Sequence, residues 1–168
     1  MKTQLYWLQG PWPGRLAIMP RPRGGDWLED EIRSWHRAGV RVVLSLLTPE
    51  EIADLELSDE AKLCEANGIQ FILFPIPDRD VPSSNEAALE ISATLIELLN
   101  DGKNVAVHCR QGIGRSALIA IGLLAMAGID PENAIKQVGV ARGCPVPETV
   151  QQRRWILDFA NRTAVSSK

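Results

Sequence analysis

The sequence has little cysteine, little histidine and no excess of positive charge. Its 168 residues include three cysteines and two histidines, and its 18 basic and 21 acidic residues give a formal charge of −3. Sparse cysteines without a Cys-x-x-Cys pair do not predict a disulfide framework, and with two histidines they do not predict a metal site. The mild acidity argues against non-specific nucleic-acid binding, which normally requires a basic excess. We therefore expect no metal, no cofactor and no nucleic-acid partner.

Long apolar runs are also missing. The most apolar segment, residues 117–129, is too short to cross a bilayer, because a membrane-spanning helix needs about 20 residues. The first ten residues lack the apolar stretch of a signal peptide. We expect a cytoplasmic protein with no membrane span, in which residues 117–129 form a buried helix.

The length and the 45% apolar content fit a single domain over residues 1–168. Residues 1–25 predict an irregular N-terminal cover with short strands, one of them around 16–18. Continuous apolar runs predict buried strands over 40–47, 69–74 and 104–108. Periodicity and capping signals predict helices over 26–38, 49–55, 59–67, 85–100, 115–127, 131–142 and 147–161. This alternation predicts an α/β fold, with a mainly parallel central sheet of four to five strands flanked by helices on both faces.

A polar loop follows the predicted strand at 104–108. Residues 108–116 read His-Cys-Arg-Gln-Gly-Ile-Gly-Arg-Ser, at the end of a strand where parallel sheets bind ligands. Glycines let backbone N–H groups turn inward, and inward N–H groups at the start of a helix bind anions. The predicted substrate-binding residues are Arg110, Gln111, Gly112, Ile113, Gly114 and Arg115.

The charged and nucleophilic side chains of this loop predict phosphate chemistry. The planar guanidinium of Arg115 can bind two oxygens of a phosphate. The positive field of the loop favours the thiolate form of Cys109, which makes it a nucleophile. A nucleophile beneath a bound phosphate predicts attack on phosphorus and a cysteinyl-phosphate. Ser116 can donate a hydrogen bond to the departing sulfur, and we expect His108 to orient the loop by bonding its backbone.

Residues 108–116 resemble the signature of the cysteine-dependent protein phosphatases, His-Cys-x-x-Gly-x-Gly-Arg-Ser/Thr, at every fixed position. Rhodanese-like sulfurtransferases also place a cysteine in an anion loop, but the Gly-x-Gly-Arg-Ser ending fits them poorly. The resemblance implies a dual-specificity phosphatase-like fold and hydrolysis of phosphotyrosine, with phosphoserine and phosphothreonine as further candidates. It implies phosphorylated proteins or peptides as substrates, and oxyanions such as phosphate, vanadate or tungstate as inhibitors.

Cleavage of a phosphate ester also needs a proton for the leaving oxygen. Residues 74–83, Phe-Pro-Ile-Pro-Asp-Arg-Asp-Val-Pro-Ser, resemble the acid loop of small dual-specificity phosphatases. The resemblance makes Asp78 the acid of the first step and the base that activates water in the second, with Asp80 as its rival. Arg79 and Arg110 are either solvated charges at the rim of the pocket or substrate contacts.

The C-terminal part of the chain adds supporting residues. Thr149 and Gln152 match a Thr-x-x-Gln of similar phosphatases, which implies that Gln152 lies near the pocket and helps to position water. Arg142 matches a basic position that often precedes this segment, although a charge at the end of a helix is an equally good explanation.

Three functions remain open at this stage. The first is a protein phosphatase, the second a phosphoinositide or small phosphoester phosphatase, and the third an inactive phosphopeptide-binding module. The absence of lysine from the loop disfavours the second. The intact set of Cys109, Arg115 and Asp78 disfavours the third.

Overall fold

A five-stranded sheet forms the centre of the fold. The computed structural model describes the backbone of residues 4–166 and the side chains of residues 4–163. Within that range the strands are β1 (Tyr6–Leu8), β2 (Leu16–Met19), β3 (Val42–Ser45), β4 (Gln70–Leu73) and β5 (Val105–His108). They lie in the order β1-β2-β5-β3-β4, and all neighbouring pairs are parallel except the antiparallel pair β1 and β2.

Helices cover both faces of this sheet. In the described part of the chain they are α1 (Leu28–Arg37), α2 (Pro49–Asp54), α3 (Glu60–Ala66), α4 (Asn85–Asn100), α5 (Arg115–Met126), α6 (Pro131–Arg142) and α7 (Val150–Ser166). Alternate strand residues face opposite sides, so Val43 and Ala106 pack with α1 and α3, whereas Leu44 and Val107 pack with α4 to α7. The predicted α/β architecture is confirmed.

The register of the parallel strands places the ends of β2, β3 and β5 at one edge. Met19 and Ser45 both lie beside His108. The pairing continues past the strands, because the Leu46 N–H donates to the His108 carbonyl at 3.0 Å and the Ile76 N–H to the Leu46 carbonyl at 3.0 Å. The segments that follow β3, β4 and β5 therefore meet at this edge.

Helices with clear local caps match their predicted bounds, whereas the last helix differs. α4 and α6 span the predicted residues 85–100 and 131–142. α7 begins at Val150 and not at 147 or 148, and it continues past 161. The Thr149 hydroxyl accepts the Gln152 N–H at 3.0 Å, and the Gln152 side-chain oxygen accepts the N–H groups of Glu148 and Thr149. Residues 147–149 are thus used as a capping turn.

The predicted strand at 40–47 is also shorter in the structure. The Val40 N–H donates to the Trp35 carbonyl at 3.0 Å, which uses Val40 to close the turn after α1. Leu46 and Leu47 lie beyond the strand, on the way to α2.

In the described residues no helix has both the length and the apolar character of a membrane span.

Candidate active site

The loop between β5 and α5, residues 109–114, surrounds the Cys109 sulfur. Cys109 is 2% exposed, and its sulfur receives the Gly112 N–H at 3.3 Å. Gly112 has φ of +72°, and a Cβ there would lie 2.8 Å from the Met19 backbone. Only glycine fits this position, because a side chain would be both conformationally strained and in collision with β2. The turn of the loop therefore aims a backbone N–H at the sulfur.

Arg115 is buried at the first position of α5 and is held by a carboxylate. Its Nη1 lies 2.7 Å from Glu51 Oε1, and its Nη2 lies 2.9 Å from Glu51 Oε2. The Ile76 carbonyl accepts a further hydrogen bond from Nη1 at 2.8 Å. Burial lowers the pKa of Arg115, but the hydrogen bonds to Glu51 and the charges of Cys109, Glu51 and Asp78 outweigh it and raise the pKa above its ordinary value. The guanidinium is therefore permanently charged and held in one orientation.

Glu51 is the functional residue that sequence reasoning missed. It is the third residue of α2, where it completes a capping box with Thr48. Burial raises the pKa of Glu51, but the hydrogen bonds from Arg115 and Thr48 outweigh burial and leave the pKa below its ordinary value. The only signal in the sequence was the Thr-Pro-Glu-Glu cap, which indicates the start of a helix and not a contact with Arg115.

The structure places Asp78, and not Asp80, at the pocket. Asp78 Oδ1 lies 3.2 Å from Arg115 Nη2, and the Asp78 side chain is 52% exposed. The Asp80 carboxylate instead accepts the N–H of the next residue, Val81, at 2.8 Å. Asp78 is therefore positioned to exchange a proton with a group bound at Arg115, and its role as the acid stays a prediction.

One pocket of about 240 Å³ brings five of the predicted site residues together, with Cys109, Arg115 and Asp78 among them. Its lining residues are Asp78, Arg79, Cys109, Arg110, Gln111, Arg115 and Glu148. At the rim, Arg79 Nη1 lies 3.1 Å from Glu148 Oε2, whereas the Arg110 side chain is 47% exposed and lies 3.8 Å from Glu51. The remaining loop residues Gly112, Ile113 and Gly114 lie outside this lining.

His108 is held differently from the expectation. Its Nε2 lies 2.5 Å from Glu60 Oε2 in α3, and both side chains are buried. Its Nδ1 has no hydrogen-bond partner among the described residues. The expectation that His108 bonds the loop backbone is therefore wrong, because the parallel register carries the ring towards α3 and away from the loop.

Ser116 and Gln152 are both buried near the site. The Ser116 hydroxyl has no partner within the described chain, so the Gly112 N–H is the observed donor to the sulfur. Gln152 donates from Nε2 to the Asp80 carbonyl at 3.1 Å, which ties the acid loop, residues 77–81, to the start of α7. The roles of Ser116 at the sulfur and of Gln152 at water stay predictions.

The other titratable clusters add no second centre. Burial, together with the charges of Glu60 and Glu65, raises the pKa of Cys64, so this thiol is packed and uncharged. Across the described residues, no group of three or more histidine, cysteine, aspartate or glutamate side chains could hold a metal ion.

The chain is similar in sequence to several known proteins. A family model described as a polymorphic toxin system DSP-PTPase phosphatase matches residues 17–128. The cyclin-dependent kinase inhibitor 3 of Mus musculus is 28% identical over 136 residues, which cover 80% of this chain and 63% of that protein. A tyrosine phosphatase of Invertebrate iridescent virus 6 is 30% identical over 158 residues, which cover 90% of this chain and 54% of the viral protein. The chain thus spans less than two thirds of the length of these relatives.

A solved structure shows the same fold. The crystal structure of kinase-associated phosphatase, with serine in place of its catalytic-site cysteine, superposes with a TM-score of 0.87 at 21% identity. The superposition covers 98% of this chain and 97% of that one. The single-domain sheet and its flanking helices are therefore the architecture of that phosphatase.

Proposed function

This chain belongs to the DSP-PTPase phosphatase family, and from that premise we propose that it hydrolyses phosphotyrosine, phosphoserine and phosphothreonine in proteins or peptides through a cysteinyl-phosphate. The observation that carries the proposal is the shared pocket of Cys109, Arg115 and Asp78. A nucleophile, a phosphate-binding cation and a proton donor are the three groups that the reaction needs.

The first step transfers the phosphoryl group to sulfur. The phosphate oxygens bind the inward N–H groups of the loop and the Arg115 guanidinium, which neutralise their charge. The Cys109 thiolate attacks phosphorus and forms the S–P bond while the bond from phosphorus to the leaving oxygen breaks. Protonated Asp78 gives its proton to that oxygen, so the product leaves as a neutral alcohol or phenol.

The second step releases phosphate. The carboxylate of Asp78 removes a proton from water, and the water oxygen attacks phosphorus as the S–P bond breaks. The departing sulfur recovers its negative charge, which the Gly112 N–H stabilises from 3.3 Å. We assign to Ser116 a second hydrogen bond to the departing sulfur, reached by rotation of its unpartnered hydroxyl.

The charges of the pocket support a protein substrate over a phosphoinositide. Three arginines and two carboxylates line it, and lysine is absent from the lining. Glu148 already pairs with Arg79 at the rim. One phosphate dianion is balanced by Arg115 and the loop, and the two other arginines of the lining are matched by the carboxylates of Asp78 and Glu148, so no net positive charge remains for the additional phosphates of an inositol lipid.

The nucleophile is tested by hydrolysis of p-nitrophenyl phosphate in the presence of EDTA. We expect wild-type activity without added metal, complete loss in Cys109→Ser, and retention of tungstate binding in that variant. Cys144→Ser is the matched control, because this half-buried thiol lies outside the pocket. Turnover by Cys109→Ser at the wild-type rate would refute the mechanism.

The acid is tested by the pair Asp78→Asn and Asp80→Asn. General acid catalysis contributes about 10²- to 10⁴-fold, so Asp78→Asn should lower kcat by at least the smaller factor while Asp80→Asn changes it little. The reverse order would transfer the role to Asp80.

A phosphopeptide panel beside phosphoinositides then decides the substrate class, and preferential release of phosphate from the lipids would overturn the proposed protein substrate.

A further inference from the structure

The Arg142 side chain holds two consecutive carbonyls on the outer side of the phosphate loop. Arg142, the last residue of α6, donates from Nε to the Gly112 carbonyl and from Nη2 to the Gln111 carbonyl, each at 3.1 Å. Its guanidinium carbon also lies 4.2 Å from the centroid of the Tyr6 ring in β1. One side chain therefore connects α6, β1 and two consecutive peptide units of the loop.

These two peptide units control the inner side of the loop. In a trans peptide the carbonyl of one residue and the N–H of the next point in opposite directions. A Gln111 carbonyl held outward by Arg142 therefore directs the Gly112 N–H inward, where it lies 3.3 Å from the Cys109 sulfur. The Gly112 carbonyl, held outward in the same way, directs the Ile113 N–H inward.

We propose that Arg142 is a positioning residue that sets the oxyanion affinity of the pocket by holding the Gln111 and Gly112 carbonyls outward. The inference rests on the proposed function. Arg142 does not line the pocket, so it acts through the loop and not by touching substrate. A positive charge at the end of α6 would also suit the helix dipole, but that explanation does not require the two hydrogen bonds.

Arg142→Lys separates the two explanations, because it keeps the charge and removes the planar fork that bonds two carbonyls at once. Arg153→Lys is the matched control, since Arg153 forms a half-exposed ion pair with Glu132 between α6 and α7. Tungstate affinity is measured by calorimetry, and kcat and KM are measured with p-nitrophenyl phosphate as substrate. Circular dichroism measures the thermal stability of each variant.

We expect Arg142→Lys to weaken tungstate binding and lower kcat/KM by about tenfold each, a factor that corresponds to about 1.4 kcal/mol. Arg153→Lys should leave both unchanged. Wild-type tungstate affinity in a folded Arg142→Lys variant would overturn the inference. If that variant does not fold, Tyr6→Leu decides, since loss of the aromatic face should weaken tungstate binding about threefold and unchanged binding would overturn the inference.

Tungstate binding and phosphate release distinguish a failure of the proposed phosphatase function from a failure of the role proposed for Arg142. A wild-type protein that binds tungstate but releases no phosphate from any substrate would refute the proposed function. The calorimetric comparison of Arg142→Lys with wild type would still test the role of Arg142 in that case.

Discussion

Replacement of Glu51 by glutamine tests whether the buried carboxylate holds the phosphate-binding arginine. Glutamine keeps the size of the side chain and one acceptor oxygen, so the capping contact with Thr48 can persist. It replaces the second oxygen with an NH₂ group that faces an Arg115 nitrogen. One of the two charge-assisted hydrogen bonds, at 2.7 and 2.9 Å, is lost, and the buried guanidinium loses the nearer of its two carboxylate partners.

The size of the effect follows from the partners that remain. Breaking a buried ion pair costs about 3–5 kcal/mol, and one hydrogen bond to a charged group contributes about 1.5–3 kcal/mol. Arg115 keeps the Ile76 carbonyl at 2.8 Å and Asp78 at 3.2 Å, which argues for the lower end. We expect the free energy of unfolding to fall by about 2–3 kcal/mol and kcat/KM to fall by at least about tenfold, because Arg115 is no longer held in one orientation.

The pH dependence provides a second test. The folded pKa of Glu51 lies below its ordinary value of 4.5, so its contribution to stability is fully present above pH 4.5 and is lost as the pH falls through the folded pKa. The stability gap between wild type and Glu51→Gln should therefore be largest at neutral pH and close below pH 4.5. Urea denaturation across this range measures the gap.

The matched control is Glu50→Gln, which changes the neighbouring, exposed carboxylate of the same helix. Its unfolding free energy should stay within about 0.5 kcal/mol of wild type. A Glu51→Gln gap that is equal to that of Glu50→Gln, or that does not change with pH, would refute the role assigned to Glu51.

Three further predictions concern the supports of the site. Gly112→Ala should lower kcat/KM at least about tenfold, because its Cβ would collide with β2 at 2.8 Å and displace the loop. Glu60→Gln should lower the free energy of unfolding by about 1 kcal/mol in urea titrations, because the buried His108 ring exchanges a carboxylate partner for a neutral amide. Gln152→Leu should lower kcat with little change in KM, because the acid loop loses the hydrogen bond to the Asp80 carbonyl.

Each of these variants has a control of the same chemistry. Gly128→Ala also places alanine at positive φ, but no atom lies within 4 Å of its Cβ, so stability should fall while kcat/KM is kept. Glu65→Gln and Gln151→Leu change exposed side chains of α3 and α7. If a control matches its partner variant, the corresponding contact is not responsible for the effect.

Local signals predicted the elements whose ends depend on nearby residues. The Ser84 hydroxyl accepts the Ala87 N–H at the start of α4, and the Asp130 carboxylate accepts the Asn133 N–H at the start of α6. Both caps join residues three apart, so they are visible in the sequence. The last helix was misplaced because Gln152 turns back to cap the preceding backbone, which no local propensity indicates.

The candidate site divides in the same way. The phosphate loop is contiguous. The spacing of residues 108–116 was therefore sufficient to predict that Cys109, the glycines and Arg115 come together around a bound anion. The contacts of Arg115 with Glu51 and of His108 with Glu60 join residues 64 and 48 positions apart. Those pairs depend on the parallel register of β3 and β5, which a sequence pattern does not specify.

What the sequence determined by itself was therefore the chemistry: a thiol, a guanidinium and a glycine-rich turn within one short segment. The tertiary structure alone decided how that segment is held, with Glu51 behind the guanidinium and Arg142 on the outer carbonyls, and it has Asp78 at the pocket, as the resemblance of the acid loop implied. The physical reason is that spacing along the chain limits only neighbouring residues, whereas buried charges are satisfied by whichever element the sheet brings beside them.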